Sequence, residues 1–580
     1  MLYILLNMAI FTALVIPMGR YLYKIADNQK TFADPLFNRI DNAVYKICGI
    51  DRRDMDWKKY LAALLLTNAV MIFIGYPLLR LQGALFLNPN GIANMPPALS
   101  LNTVISFMTN TDLQHYSGES GLSYFSQMIV ITMMMFTSAA TGYAACMAMI
   151  RGFCGKQMGN YFVDMIRITT RALIPLSIIL GLIFISQGSP QTLAPNATVT
   201  TIEGTRQDLP LGPIASLVSI KNIGTNGGGF LGANSSTPFE NPNIFTNMIQ
   251  MFSMMIMPGA CVIAFGLMFH YARRHQKKTN STGDDDNTPN EKTPLFGDEG
   301  RTVFIAMSIL FVIGQFVCFF AESSGNQVLG RLGINVSTGS FEGKEVRFGI
   351  APSAMFTTAA TASAAGSVNN MHDTLTPIGG MVALLNMMLN TVFSGIGTGL
   401  MNMLLYVLIA VFLCGLMIGR TPEYLGKKIE SKEIKLAVLS VILHPLLILG
   451  FTAIALSTNG GLAGITNPGY HGLTQVLYEY SSAAANNGSG FQGLANNSNF
   501  WNITTGLAMF FGRYLSIILQ IAIAGSLLSK NSVNETVGTL KTGTVTFGVI
   551  TAAVVLIFSA LTFFPAIALG PVAEYLTLGR

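Results

Sequence analysis

Ten stretches of mostly apolar residues run through this chain, starting near Leu2, Tyr60, Leu122, Ala172, Asn243, Thr302, Ile378, Ile434, Ile503 and Thr544. A helix of about 20 such residues crosses the ~30 Å hydrocarbon layer of a bilayer. In lipid every backbone N–H and C=O needs a partner within its own segment, so such stretches fold as helices. Charged residues make up only 11% of the 580, against ~25% in ordinary globular chains, too few to cover a soluble surface of this size. The chain therefore reads as an all-α polytopic membrane protein with ten transmembrane helices.

Basic residues set the expected orientation. Of the 34 Lys and Arg, 26 fall in alternate loops on one side and seven on the other, with Arg513 left inside a span. The rich side reads as cytoplasmic, and an even number of spans then puts both termini outside. Residues 1–19 carry no small-residue cleavage site before the basic stretch that follows, so they read as an uncleaved first span.

Several function classes fall away. The basic residues are spread between apolar spans instead of gathered as a nucleic-acid binder would have them. Cys48, Cys146, Cys154, Cys261, Cys318 and Cys414 lie in or beside apolar spans, form no CxxC pair, and read as buried thiols. The longest polar cytoplasmic pieces, 24–59 and 273–301, are too short for a nucleotide-binding domain of ~100 residues. Leu540-Lys541-Thr542-Gly543-Thr544 is similar to a P-type ATPase phosphorylation loop but has Leu where the acyl phosphate needs a carboxylate. Any ATP hydrolysis must come from another chain.

The outer loops carry the functional signal. Four times, two apolar spans bracket a shorter apolar segment and then a small, polar run. These are Ala98–Met108 with Thr109–Asp112, Pro213–Ile223 with Thr225–Gly229, Ile350–Ala360 with Thr361–Ser367, and His471–Tyr480 with Ser482–Ser489. Their centres are 116, 139 and 122 residues apart, which predicts four membrane–pore–membrane repeats. A half-helix entering from outside points its partially negative C-terminal end at the bilayer centre. An extended small-residue strand after it can aim carbonyl oxygens at one axis, and four such strands replace the hydration shell of an ion such as K⁺. Glycine at 227, 366 and 488 admits backbone angles closed to other residues.

Asp112, Glu119, Glu240, Asp373 and Glu479 fall on the outer side and are expected to raise the cation concentration at the mouth. His115, His372, His444 and His471 lack metal-ligand spacing and read as hydrogen-bonding residues. The stretch 378–419 is too long for one straight crossing and carries Ser394-Gly395-Ile396-Gly397-Thr398-Gly399, so a break in its middle is expected. Arg513, deep in its span, reads as functional: beneath the strands it either repels cations or pairs with a carboxylate.

The stretches Ser106–Glu119, Gly224–Phe230, Ala233–Pro242, Met371–Asp373, Gly415–Lys428, Ser481–Ser489 and Ala568–Tyr575 closely resemble the KdpA family of bacterial potassium-importing subunits, related in fold to the Trk/Ktr/HKT transporters. The resemblance implies a pseudo-fourfold K⁺ selectivity filter of Asn110, Thr111 and Asp112, then Thr225, Asn226 and Gly227, then Ala364, Ala365 and Gly366, then Asn486, Asn487 and Gly488. It places Gln114 beside the first strand and makes Gly395, Gly397 and Gly399 part of a gating loop. It further implies a bacterial inner-membrane complex with a KdpB-like P-type ATPase and KdpC-like and KdpF-like subunits, K⁺ as the transported ion, and no organic cofactor. A self-sufficient Trk/Ktr-type channel is the alternative. The family's first strand usually reads Thr-Asn-Thr-Asn, and Asp112 departs from it. A carboxylate there strengthens cation binding if it faces the axis and does little if it faces the protein. The implied division is a first helix and basic linker (1–59), pore repeats over 60–150, 151–275, 301–420 and 421–530, a polar loop over 276–300, and a last helix (531–580).

Overall fold

The structure, a computed structural model, describes residues 2–280, 294–419, 421–533 and 540–578; most of the polar loop 276–300 lies outside them. Ten of the described helical stretches are long and apolar enough to cross a membrane: Ile4–Ala26, Trp57–Arg80, Ser126–Phe153, Tyr161–Ser186, Ile244–Arg274, Asp298–Arg331, Thr398–Ile418, Ser431–Leu456, Asn499–Leu528 and Val545–Leu578. The number agrees with the sequence reading, but two starts move: the seventh from Ile378 to Thr398, past the expected break, and the fourth by three turns. The fourth span begins at Tyr161 rather than Ala172 because Asn160 caps it, accepting the Phe162 and Val163 N–H groups. Its Arg171, counted as a loop residue from sequence, is buried in the helix against Asp34 and Asp41. Those two aspartates sit on Asp34–Ile47, a helix in the basic linker that the apolar-span count passed over.

The expected break is present. Helix Pro377–Leu389 ends at Asn390 in a left-handed conformation (φ 46°), and Thr398–Ile418 starts after Gly397 (φ 88°). Between them the chain crosses the protein interior without helix, tolerated at membrane depth because protein surrounds it.

Four short helices, Pro97–Met108, Ile214–Ile223, Ile350–Ala362 and Tyr470–Ala485, stand apart from the spans. Each packs against the span before it and the helix after it, which for the third is Pro377–Leu389. Around the molecule, Ser126–Phe153 touches the second short helix, Ile244–Asn280 the third, Pro377–Leu389 the fourth, and Asn499–Leu528 returns to touch the first. The last two short helices run further than the sequence suggested. Thr361 and Ala362 are helical, and so are Ser481 to Ala485, because alanine-rich backbone continues a helix until a residue takes the left-handed turn that stops it.

Candidate ion-binding site

All four short helices end alike. In each, one residue just past the helix has left-handed φ: Asn110 (61°), Thr225 (50°), Ala364 (50°) and Asn486 (55°). In each, the next N–H reaches back to the carbonyl five residues earlier: Thr111 to Ser106 (2.9 Å), Asn226 to Lys221 (2.9 Å), Ala365 to Ala360 (3.1 Å) and Asn487 to Ser482 (2.9 Å). This is the Schellman closure, which usually takes Gly or Asn in the left-handed place. Thr and Ala there cost about 1–3 kcal/mol each. A β-branched residue at that angle is uncommon; Thr225 is held by its hydroxyl, which accepts the Ile396 N–H at 3.1 Å.

After the closures the four segments meet. A Cβ added at Gly227 would lie 2.8 Å from Thr111 O, 2.9 Å from Asn487 O and 3.1 Å from Gly366 Cα. One at Gly366 would lie 2.3 Å from Asn487 O, and one at Gly488 2.0 Å from Thr111 O. Glycine is required at these places because any side chain would displace a neighbouring segment's carbonyl.

Side-chain amides lock neighbours together. Asn110 donates to Thr225 O (2.8 Å), Asn226 to Asn110 Oδ1 (3.0 Å), Asn486 to Thr111 Oγ1 (2.8 Å) and Asn487 to Ala360 O (3.0 Å). Gln114 grips Gly229 twice, accepting its N–H at 2.9 Å and donating to its carbonyl at 3.2 Å. Asp112, itself at φ 56°, is buried, and its Oδ2 accepts the Gly227 N–H at 3.2 Å. Oδ2 thus braces the second segment, while the buried Oδ1 has no hydrogen-bond partner among the described residues.

A cavity of about 280 Å³, lined by Asp112, Gln114, Gly227, Gly366, Gly488 and Asn496, lies at one end of these segments. A smaller one, about 50 Å³, is lined by Asn486, Asn390, Thr398, Asn402 and Arg513. The fourth segment runs from the second cavity, at Asn486, to the first, at Gly488. The unwound stretch is tied to two of the helix closures: Gly395 N–H donates to Ser363 O (2.7 Å), and Ile396 N–H to Thr225 Oγ1. A Cβ at Gly397 would strike Cys146 Cβ at 2.3 Å, and one at Gly399 the Ser394 N at 2.3 Å. Arg513 is buried and donates to Thr398 Oγ1 (3.0 Å) and Ser138 O (3.4 Å). Among the described residues no carboxylate pairs with it.

Two expectations need correction. Four of the five outer carboxylates are not a solvated ring. Asp112, Glu240, Asp373 and Glu479 are buried, and the last three pair with Lys221, His471 and His115. Glu119 is half-buried and accepts the Gly232 N–H. A buried carboxylate beside a backbone turn satisfies donors the turn cannot satisfy itself. Cys48 is exposed rather than buried, because it follows the linker helix at the surface. The histidines act as hydrogen-bonding residues, and no His, Cys, Asp and Glu cluster of metal-binding size occurs among the described residues.

Sequence reading missed Lys221, Asn234 and Ser138. The signal for Lys221 was present: a lysine inside a short apolar helix, counted only as an outer charge.

The protein-family comparison matches residues 5–576 to KdpA, the potassium-transporting ATPase A subunit. A potassium-transporting ATPase potassium-binding subunit of Clostridium acetobutylicum is 52% identical over 571 residues, covering 98% of each chain. One of Geobacillus kaustophilus is 52% identical over 568 residues, covering 97% of each. With residues 5–576 of 580 inside that match, the chain belongs to the KdpA family of potassium-transporting ATPase A subunits.

Proposed function

We propose that the four segments form a K⁺ selectivity filter and that the chain is the potassium-binding, non-hydrolytic subunit of an ATP-driven importer. The observation that carries this is the four identical helix closures, with a left-handed residue at the same place in each, converging within van der Waals distance. Each short helix directs its partially negative C-terminal end toward the meeting point. The backbone carbonyls that follow are the ligands a dehydrated K⁺ requires. The filter residues are Asn110-Thr111-Asp112, Thr225-Asn226-Gly227, Ala364-Ala365-Gly366 and Asn486-Asn487-Gly488, and Gln114 supports the second strand from the first.

On this reading the four units are membrane–pore–membrane repeats around a pseudo-fourfold axis, over 60–150, 151–275, 301–420 and 421–530, with one extra helix at each end. Gly395, Gly397 and Gly399 belong to a gating loop hung from Ser363 and Thr225. Arg513 sets a positive charge beneath it. K⁺ enters from the outer cavity of a bacterial cytoplasmic membrane, with both termini outside. It is then handed to a KdpB-like P-type ATPase in a complex with KdpC-like and KdpF-like chains. The names of the relatives, subunits of an ATPase, favour this over a self-sufficient channel.

The test is Gly227→Asp. Its Cβ alone would stand within 3 Å of carbonyls from two other strands, so K⁺ affinity of the assembled transporter is expected to fall by orders of magnitude. Unchanged K⁺ dependence in that variant overturns the filter.

A further inference from the structure

Lys221 lies on the second short helix with its side chain fully buried. Its ammonium makes three short contacts: Glu240 Oε2 (2.6 Å), Asn234 Oδ1 (2.7 Å) and Ser235 Oγ (2.9 Å). A lysine ammonium has three donors and no acceptor, so all three are used. Glu240 spends its other oxygen on the Leu231 N–H (2.8 Å). Asn234 has left-handed φ (55°) and lines the outer cavity. Its Nδ2 donates to the carbonyl of Gly227 at 3.0 Å. Its Oδ1 also accepts from the third segment, through Ser367 Oγ (3.3 Å) and Val368 N (3.4 Å).

A single amide therefore holds the Gly227 carbonyl with one end and the third segment with the other. Which end faces which is set by donors: Lys221 can only donate, so Asn234 must offer Oδ1 to it and N–H to Gly227. A charge-assisted bond is about twice as strong as a neutral one, and the contact from Lys221 is the shortest that Asn234 receives from another side chain. The full charge is sustainable there only because Glu240 neutralises it.

We infer that Lys221 is a positioning residue for ion discrimination, acting through Asn234 to fix the Gly227 carbonyl and the spacing of the second and third filter strands. The inference rests on the filter reading. It adds that selectivity depends on a buried ammonium that touches no ion. A carbonyl free to swing accommodates a smaller cation, so loosening the post relaxes K⁺ over Na⁺ discrimination more than it alters turnover.

The test uses the full chain assembled with its ATPase partners in lipid vesicles, reading ATP hydrolysis stimulated by K⁺ and by Na⁺. Lys221→Met/Glu240→Gln removes the ammonium without stranding the carboxylate. It is expected to lower the K⁺/Na⁺ affinity ratio about tenfold, the worth of one charge-assisted hydrogen bond, with maximal rate nearly kept. Asn234→Ala is expected to do the same, and combining the two to add nothing further, since they act in series. Additive losses, or an unaltered ratio in either variant, overturn the inference. Should the neutral pair fail to assemble, Asn234→Asp decides: it keeps a partner for Lys221 but cannot donate to Gly227 O, and an unaltered ratio again overturns the inference. Gly227→Asp in parallel separates the two levels. If it leaves affinity intact the filter itself fails; if it abolishes binding while the Asn234 variants change nothing, only the role of Lys221 falls.

Discussion

Two seams of the central ring carry nearly the same backbone on different supports. Between the second and third segments stands the Lys221–Glu240 pair, both side chains fully buried and 2.6 Å apart, with Asn234 carrying it to Gly227 O in the second segment and to Val368 N in the third. Between the fourth and first segments stands His115–Glu479, equally buried, at 2.9 Å, with Asn502 on the other imidazole nitrogen at 2.7 Å. The first seam uses a permanent charge and the second an imidazole. The remaining two differ again: amides and Asp112 join the first segment to the second, and His471 with Gln475 reaches Asp373 between the fourth and third. The closures repeat because helix C-termini offer few ways to stop. The scaffolding behind them does not, because any group that satisfies the same backbone donors and acceptors serves.

The comparison breaks most sharply at Glu240. Glu240→Ala leaves the Lys221 ammonium buried without its counter-charge, which costs on the order of 3–5 kcal/mol. It also frees the Leu231 N–H. The expected outcome is a large drop in thermal stability and poor recovery of assembled protein. Glu479→Ala is the matched change at the other seam. It takes one acceptor from His115 and Asn496 without stranding a lysine ammonium, so the loss is nearer the ~1–3 kcal/mol of a broken buried hydrogen bond. Equal losses in the two variants, measured by thermal unfolding in one detergent, would remove the distinction between a fixed-charge and an imidazole seam.

This contrast also marks what was legible in the sequence. The ten spans were, because hydrocarbon thickness imposes a length that composition reveals. So were the break before Thr398 and the four polar runs, since glycine, asparagine and threonine clusters punctuate apolar sequence. The reach of the fourth short helix was not: Ser481–Ala485 consists of residues compatible with either a helix or an extended run, and the tertiary position of Asn486 decides. The acidic residues were misjudged for a related reason. Charge is readable from sequence, but burial is not, and Glu240 and Glu479 differ from loop carboxylates only by having Lys221 and His115 beside them. Those partners are 19 and 364 residues away. The helical linker Asp34–Ile47 escaped because a half-polar helix leaves no mark in a search for apolar spans.

The smallest expected effect lies at the seam between third and fourth segments, and it depends on pH. His471 lies 3.1 Å from Asp373 and 2.9 Å from Glu574, the latter on the C-terminal helix Ala573–Leu578. Burial alone would lower its pKa, but the hydrogen bonds its ring donates to both carboxylates, and their charge, outweigh burial and raise it to about 9. The folded value stands above the ~6.5 of an unfolded histidine. The clamp is therefore at full strength below about pH 6.5 and is lost as pH rises through about 9. Thermal unfolding of the wild type is expected to weaken across that window by more than that of His471→Gln, which hydrogen-bonds without titrating. A His471→Gln profile that tracks the wild type from about pH 6 to 10 would place the C-terminal helix outside the support of the ring and leave the buried pairs to carry it alone.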